Sequence, residues 1–400
     1  MKETAMNKVE TEIKKERKTS GTLSVPFCGY TRWGAINKLA GLLAMGVVLS
    51  AAGPALGRPG LHVVPSPVIN GSVLLGAAAI AHNDIWAVGV VRDSSGTAST
   101  LAEHFDGTSW SVVPTPVVND PLVAVAGSAS NDVWAVGSQT NVGDSPTPFI
   151  AHWNGTSWSI IESPNLPTNS FLTGVTAPAS NNAWVVGHTF GAANGLVEHW
   201  DGTRWSIVSS PAFTDVVAFA ISADSSTDVW AFGVSNVTGG PEALHFDGTN
   251  WTAIPAATSS FGFEALGLAA LSPTNVWAVG VQADSDHDAN VPAAQHWDGT
   301  SWSVVPVPNP NPNSDASPNL LTGIAAVSAN DIWAVGDYHV SAAIQTLTEH
   351  WDGTSWRIIR SPNPKVVNQL SGVTALSDGT VAAVGFQEDS TILTGLILTK

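Results

Sequence analysis

The chain has 400 residues, 44% of them hydrophobic and 12% charged, enough apolar material for a large buried core and too much for a disordered polypeptide. Its formal net charge of −17 argues against nucleic acid as a partner, because an acidic surface repels a phosphate backbone. High glycine (37), proline (25) and tryptophan (17) beside only 15 basic residues suit many short strands joined by tight turns.

Residues 1–57 differ from the rest, with eight basic residues (Lys2, Lys8, Lys14, Lys15, Arg17, Lys18, Arg32 and Lys38) and four acidic ones. An apolar stretch over residues 39–53 follows Lys38, and Ala55-Leu56-Gly57 places small residues where a signal peptidase reads, so this segment is expected to be a secretory signal with a long basic leader. About 15 apolar residues are short for a membrane span, and an uncleaved anchor is the alternative. Cleavage near Gly57 leaves seven basic and 28 acidic residues and removes Cys28, the only cysteine. The mature chain is then strongly acidic and thiol-free, with no disulfide or cysteine metal site. Its expected location is secreted, extracellular or on the surface of a bacterial cell.

From residue 73 onward one phrase recurs: a short apolar run, an Asn/Asp turn, then Trp-Ala-Val-Gly or a near copy. Its tryptophans are Trp86, Trp134, Trp184, Trp230, Trp277 and Trp333, and Ala382 fills the seventh slot, at spacings of 48, 50, 46, 47, 56 and 49 residues. Such a period marks a repeat architecture, in which no unit buries its apolar face alone. Residues 320–362 show the unit. A small-residue run (320–327) ends at Asn330-Asp331, a second strand carries Trp333, and a variable stretch leads to a third strand ending His350-Trp351. Asp352-Gly353 forms a hairpin turn, and the fourth strand after it stops at a proline-rich link. Four antiparallel strands in about 45 residues make a propeller blade.

The two ends complete the count. The seventh repeat has three strands and lacks the Asp-Gly-Thr-Ser-Trp segment, whereas Leu61-His62-Val63-Val64-Pro65-Ser66-Pro67 matches a fourth strand with no first three before it. The expected fold is therefore all-β: a seven-bladed β-propeller of four-stranded antiparallel blades, closed by an N-terminal strand in a three-plus-one split blade. The blades fall at residues 71–116, 117–165, 168–211, 213–256, 261–308, 318–362 and 368–400 plus 61–67, all within a domain spanning 58–400.

The repeats resemble those of bacterial secreted β-propellers over residues 61–400. The hairpin His199-Trp200-Asp201-Gly202-Thr203-Arg204-Trp205-Ser206 is similar to the kelch hairpin, although Ala-Val-Gly stands where kelch repeats carry a Gly-Gly pair. Asp-Gly-Thr-Ser-Trp resembles the Asp-box of sialidase (BNR) repeats, with Asp and Gly adjacent here and one residue apart there. WD40 repeats are the runner-up, through the order His350-Trp351-Asp352.

Regularity assigns most conspicuous residues to the scaffold. Sixteen of the seventeen tryptophans occupy three repeat slots, which reads as packing. His104, His152, His199, His245, His296 and His350 share one slot, so a hydrogen bond to strand backbone or to a neighbouring blade is expected of each. The recurrent Asp84, Asp132, Asp228 and Asp331 read as turn formers. In Trp-Ala-Val-Gly, Ala and Gly are read as letting sheets approach while Trp fills the wedge between them. No local nucleophile or metalloprotease motif occurs, which leaves the catalytic set empty and makes a non-enzyme the preferred reading.

Function is expected where the repeat varies. The second-to-third-strand loops (92–99, 139–148, 188–194, 282–292, 337–345) and the inter-blade links differ in length and chemistry, and both emerge on one face. Candidate binding residues on it are Arg92, Phe190, Asp284, Asp286, Asp288 and Tyr338. Asp284, Asp286 and Asp288 alternate and could supply oxygen ligands to Ca²⁺, although an EF-hand glycine is missing at Ala289 and the alternative is a solvated acidic loop. No other cofactor is expected. The partner is expected to be an envelope protein or polysaccharide, bound by a monomer. A secreted glycan hydrolase or lyase is the competing class, and a structural spacer is a third.

Overall fold

The computed structural model describes residues 60–400 except 117, 140–145, 165–168, 190–193, 259–261, 284–289, 312–317, 342 and 390–391. The described residues form 28 strands, numbered in chain order, with one 3-10 turn at Pro211–Phe213. No helix among them is long and apolar enough to cross a membrane. The innermost strands are β2 (Ser72–Ala81), β6 (Leu122–Ala129), β10 (Ser170–Ala179), β14 (Val216–Ser225), β18 (Phe263–Ser272), β22 (Leu320–Ser328) and β26 (Val367–Ala375). Second in each blade are β3 (Asp84–Arg92), β7 (Asp132–Gln139), β11 (Asn182–Thr189), β15 (Asp228–Ser235), β19 (Asn275–Ala283), β23 (Asp331–Val340) and β27 (Val381–Glu388). The third row is β4 (Ala98–Phe105), β8 (Thr147–Trp153), β12 (Asn194–Trp200), β16 (Pro241–Phe246), β20 (Asn290–Trp297), β24 (Ala343–Trp351) and β28 (Leu393–Thr399). The short outer strands are β5 (Trp110–Val112), β9 (Trp158–Ile161), β13 (Trp205–Ile207), β17 (Trp251–Pro255), β21 (Trp302–Val305), β25 (Trp356–Ile358) and β1 (His62–Val63).

Each innermost strand lies against the next, β2 on β6 and so on to β26, and β26 returns to β2, which closes a seven-bladed propeller. The fourth strand of the last blade is β1, antiparallel to β28 with His62 opposite Thr399 and Val63 opposite Leu398. Leu61 is buried in the cluster around Trp333 and Leu398, where an outer-strand Trp packs in other blades. The C-terminal Lys400 completes this join, its Nζ 5.1 Å from the centre of the Trp333 ring and 3.8 Å from Asp331.

The recurrent phrase has a separate reason for each residue. Trp230 shows the pattern: its ring stacks on His245 of the same blade at 4.1 Å and meets Trp297 and Trp302 of the next blade at 5.4 and 5.9 Å. The histidine slot differs from expectation. His245 Nε2 bonds Asp228 Oδ1 at 2.7 Å within its own blade, and the same pair recurs as His104–Asp84, His152–Asp132 and His350–Asp331, with Asn275 serving His296. The turn carboxylate therefore does more than form a turn; it also accepts Trp230 Nε1 at 3.1 Å and so fixes both rings of the stack.

Glycine in the phrase acts inside the sheet rather than between sheets. Every innermost strand carries a register irregularity opposite it, as between Ala218 and Ala220 or between Leu321 and Gly323. That bulge drives a carbonyl oxygen against the glycine, so a Cβ at Gly233 would collide with the Val217 oxygen and one at Gly336 with that of Leu320. Alanine in the phrase matches the expectation, since Ala87, Ala135 and Ala231 are fully buried in the clusters between blades.

A slot not singled out by sequence precedes the histidine: Glu103, Glu198, Gln295 and Glu349 are each at most 1% exposed. Gln295 clasps the link of the preceding blade, accepting from Ala257 N at 3.0 Å and donating to Ala257 O at 2.9 Å. Glu198 receives Ser163 Oγ at 2.8 Å from the corresponding link, whereas both carboxyl oxygens of Glu103 and of Glu349 are buried without a hydrogen-bond partner among the described residues.

Candidate functional site

The two ends of the blades are chemically unlike. At one end each third-to-fourth-strand turn folds over the first-to-second turn; Gly202, at φ 94°, brings its Cα so close to Asn181 that a Cβ would come within 2.9 Å of the Asn181 side chain. Asp201 Oδ1 caps that turn by accepting the Thr203 and Arg204 amides at 2.8 and 3.0 Å, and these bonds, with the Thr203 hydroxyl bond first among them, hold its carboxyl down to about 2. The same cap recurs at Asp106, Asn154, Asp247, Asp298 and Asp352.

At the other end the second-to-third loops meet the inter-blade links, as expected for a variable face. Arg92 N donates to Gly71 O at 2.9 Å, Asn236 N to Asp215 O at 2.6 Å, and His339 N to Asn319 Oδ1 at 3.0 Å. Arg92 ends β3 on this face, with Nη1 3.5 Å from Gly96 O in the loop that Asp93 ties together. Tyr338 stands near the end of β23 on the same face, opposite Gln345 and half-buried against the cluster shared by blades 5 and 6, and donates to Gln345 Oε1 at 2.7 Å. Arg92 and Tyr338 thus share a face but belong to blades 1 and 6, so they do not form one contact site. Phe190, Asp284, Asp286 and Asp288 lie outside the described residues, and so does the candidate Ca²⁺ loop.

The longest link builds a local network where it joins blades 5 and 6. Asn319 Nδ2 donates to Asn309 Oδ1 at 3.1 Å, Asn311 Nδ2 to His339 O at 3.0 Å, and Asn319 N to Asn290 O at 3.0 Å. Beside it opens a cavity of about 280 Å³ lined by Gln282, residues 291–294, residues 304–307 and Asn309. Pro292 lines the opening. In its slot, Thr100 of blade 1 gives its hydroxyl to Pro116 O at 2.7 Å and its N–H to Val118 O at 3.1 Å, and Thr346 of blade 6 grips Ser361 and Asn363 at 2.7 Å each. Proline, which also fills this slot as Pro148 and Pro241 in blades 2 and 4, can do neither.

The axial mouth on this face holds residues that the sequence reading missed. The slot after the phrase's glycine is Val90, Ser138, Val234, Val281 or Phe386 in five blades, but His188 and Asp337 in two. His188 is 5% exposed, its ring stacked on Phe171 at 5.6 Å and edge-on to Phe219 at 6.3 Å, and burial pushes it down to about 4. Asp337 is 2% exposed, hydrogen-bonded by the Gln369 side chain and 3.8 Å from His339 Nε2, and burial pushes it up to about 7. Glu264, near the start of β18, is likewise pushed up to about 7 by burial. Aligning the slot after each glycine would have exposed His188 and Asp337, because a mostly apolar series is broken there by ionisable groups.

Rigid blades, a regular turn face and an individual loop face around an axial opening define a β-propeller whose differences are gathered at one end. Comparison with solved structures agrees on the fold. YCF48 bound to D1 peptide aligns with a TM-score of 0.51 at 18% identity, covering 86% of this chain and 96% of that one. YCF48 from Cyanidioschyzon merolae aligns at 0.51 and 15% identity, over 85% and 98% of the two chains. An ulvan lyase, a polysaccharide lyase solved with a bound saccharide, aligns at 0.52 and 8% identity, over 82% and 94%. At these identities the likeness is one of fold. No protein-family model matches the sequence, and no curated protein matches it.

Proposed function

We propose that the chain is a secreted or cell-surface binding propeller without catalytic activity, which recognises a protein or polysaccharide of the bacterial envelope through its variable face and axial mouth. The supporting observation is where the ionisable groups go. The His–Asp pairs that could have served as acid–base machinery are committed to stacks under Trp86, Trp134, Trp230 and Trp333 on the regular face. Loops, links, cavity and unrepeated polar residues collect on the other face, as binding residues do on rigid scaffolds. Neighbouring folds bound to a peptide and to a saccharide make either partner class compatible with the architecture. The kelch-like or BNR-like subtype belongs to this proposal as a likeness of the outer hairpin.

The test uses two groups of substitutions, Arg92→Ala with Phe190→Ala, and Asp284→Ala, Asp286→Ala and Asp288→Ala with Tyr338→Ala. Immobilised protein should retain a partner from envelope proteins or an envelope polysaccharide panel, and each group should weaken retention without lowering the melting temperature. Retention unchanged in both groups would remove the face from the assignment. The second reading, a glycan lyase or hydrolase, is favoured by the Asp337–His339 pair at the rim of the mouth. Release of new reducing ends or unsaturated products from the same panel would establish it in place of the first.

A further inference from the structure

The second carboxyl oxygen of the turn aspartate meets a different partner from blade to blade. Oδ1 is committed to the histidine, as in Asp228 with His245 at 2.7 Å. In blade 2, Oδ2 of Asp132 receives the Ser128 hydroxyl, and in blade 6, Oδ2 of Asp331 lies 3.8 Å from the Lys400 ammonium. In blade 4 the same oxygen of Asp228 is buried without a hydrogen-bond partner among the described residues, on a side chain only 5% exposed. Such an oxygen is costly to leave bare, because water no longer solvates its charge.

Ser128 shows what belongs beside it. Gly127 and Ala129 oppose Val133 and Asp132, so Ser128 is passed over in the pairing and sits in a bulge four residues before the turn aspartate. Blade 4 repeats this register: Ala223 and Ser225 oppose Val229 and Asp228, and Asp224 occupies the bulge. Where blade 2 sets a hydroxyl against the buried oxygen, blade 4 sets a second carboxyl. Partial burial pushes Asp224 upward and the Asp228 charge adds to the push, so the two groups are within electrostatic reach. In blades 1, 5 and 6 the slot holds Ile80, Leu271 and Val327, each packed against the cluster shared with the next blade. Asp224 breaks this apolar series, is exposed, and takes part in no hydrogen bond among the described residues.

We propose that Asp224 and Asp228 hold a Ca²⁺ ion on the turn face, Asp224 from the solvent side and Asp228 through Oδ2, with water completing the shell. The donors are carboxylate oxygens, which suit a hard cation, and the nearest nitrogen, His245 Nε2, is already engaged with Oδ1. Mg²⁺ demands near-ideal octahedral geometry and gives up its water reluctantly, so the larger ion fits an exposed pair better. The ring itself shows once that a positive charge is accommodated at this oxygen, since Lys400 brings one to Asp331 and lies 5.1 Å from the centre of the Trp333 ring. A net charge of −17 concentrates cations at the surface. The ion relieves the repulsion between the two carboxylates and ties the bulge of β14 to the turn that orients Trp230 and His245. This site lies on the regular face, so it stands or falls independently of the binding function assigned to the other.

The experiment compares the chain with Asp224→Ser, which copies blade 2 and gives the buried oxygen a hydroxyl donor. Terbium(III) serves as a luminescent stand-in for Ca²⁺, excited through tryptophan, since Trp230 Nε1 lies 3.1 Å from Asp228 Oδ1. The unaltered chain should give a saturable signal that Ca²⁺ displaces with a dissociation constant on the order of 0.1–1 mM. Ca²⁺ at about 10 mM should raise its melting temperature by about 1–3 °C over a chelator control. Asp224→Ser should bind at least about tenfold more weakly and lose that rise, while melting no lower than the unaltered chain in chelator. Asp224→Asn gives the same comparison if the serine variant does not fold. A Ca²⁺ response unchanged by either substitution would overturn the site, as would no response in the unaltered chain, which would leave the two carboxyls sharing a proton. A response that survives Asp224→Ser and disappears when Asp284, Asp286 and Asp288 are changed to Ala would move the ion to that loop and overturn the site equally.

Discussion

The turn face and the loop face are built from the same seven blades, yet they spend their polar residues in opposite ways. On the turn face, Asp228, His245 and Trp230 are joined by bonds of 2.7 and 3.1 Å, and the histidine bond recurs in four other blades, so its polar chemistry serves to position large rings between sheets. On the loop face the polar residues are single: His188, Glu264, Asp337 and the asparagines of the blade 5 link have no counterparts in most other blades. Repetition in a closed ring therefore marks residues that hold every blade in the same way, and departure from it marks residues that the common blade does not require.

The largest effect is expected where the ring itself is joined. A chain that begins at Val68 lacks Leu61 and β1, leaving β28 with an open edge and the Trp333 cluster without its cover. Its unfolding free energy should fall by more than about 4 kcal/mol, or its transition should lose cooperativity, in a denaturant titration against the chain that begins at Arg58. An unchanged midpoint would mean that the split blade is not what closes the ring. Next comes Trp230→Ala, expected to cost about 3–5 kcal/mol because the side chain is 1% exposed and packs on two blades. Arg92→Ala on the loop face should stay within about 0.5 kcal/mol. Similar losses in both would erase the division of labour between the faces.

A smaller effect reads the interior acids. Burial pushes Glu349 up from an ordinary 4.5 to about 9, and Glu103 and Glu198 up to about 7. A carboxyl whose pKa is raised by folding contributes stability that is complete below about pH 4.5 and is lost as pH rises through its folded value, since the unfolded chain ionises first. Unfolding free energy should therefore decline from pH 5 to pH 8. Glu349→Gln should flatten that decline by on the order of 2–3 kcal/mol, keeping a neutral side chain such as Gln295 already supplies in the same slot. A wild-type profile that rises over this range would contradict the burial of the carboxyls.

The ring was largely legible in the chain because its determinants are local and repeated. Trp86 to Trp333 gave the period, and Leu61 to Pro67 matched the strand missing after Lys400. What stayed hidden were partners made across the fold. The histidine slot was visible, but the bond from His245 to Asp228 follows from antiparallel register, which sets Trp230 opposite His245 and leaves the turn carboxylate within reach. The bulge that forces glycine at Gly233 lies on the neighbouring strand and has no sequence signature of its own. Loop position alone was enough to place Arg92 and Tyr338 on the variable face. Glu264 was passed over because a single Glu in an apolar run says nothing until the strand proves to be innermost.

The smallest expected effect tests whether one substitution accounts for the most irregular part of the loop face. Pro292 removes both the amide and the hydroxyl with which Thr100 and Thr346 hold their links, and a cavity of about 280 Å³ lies beside it. Pro292→Thr restores a donor toward the link at residues 306–309 while keeping the β-branched shape favoured on a strand. It should stabilise the ring by about 0.5–1 kcal/mol, the net worth of one or two new hydrogen bonds set against the backbone freedom that loss of proline returns to the unfolded chain. It should also protect the 306–309 amides from hydrogen exchange. If protection and stability both stay as they were, the link is held away by its own Asn309–Asn319 network, and the loop face owes its individuality to the links rather than to the strands.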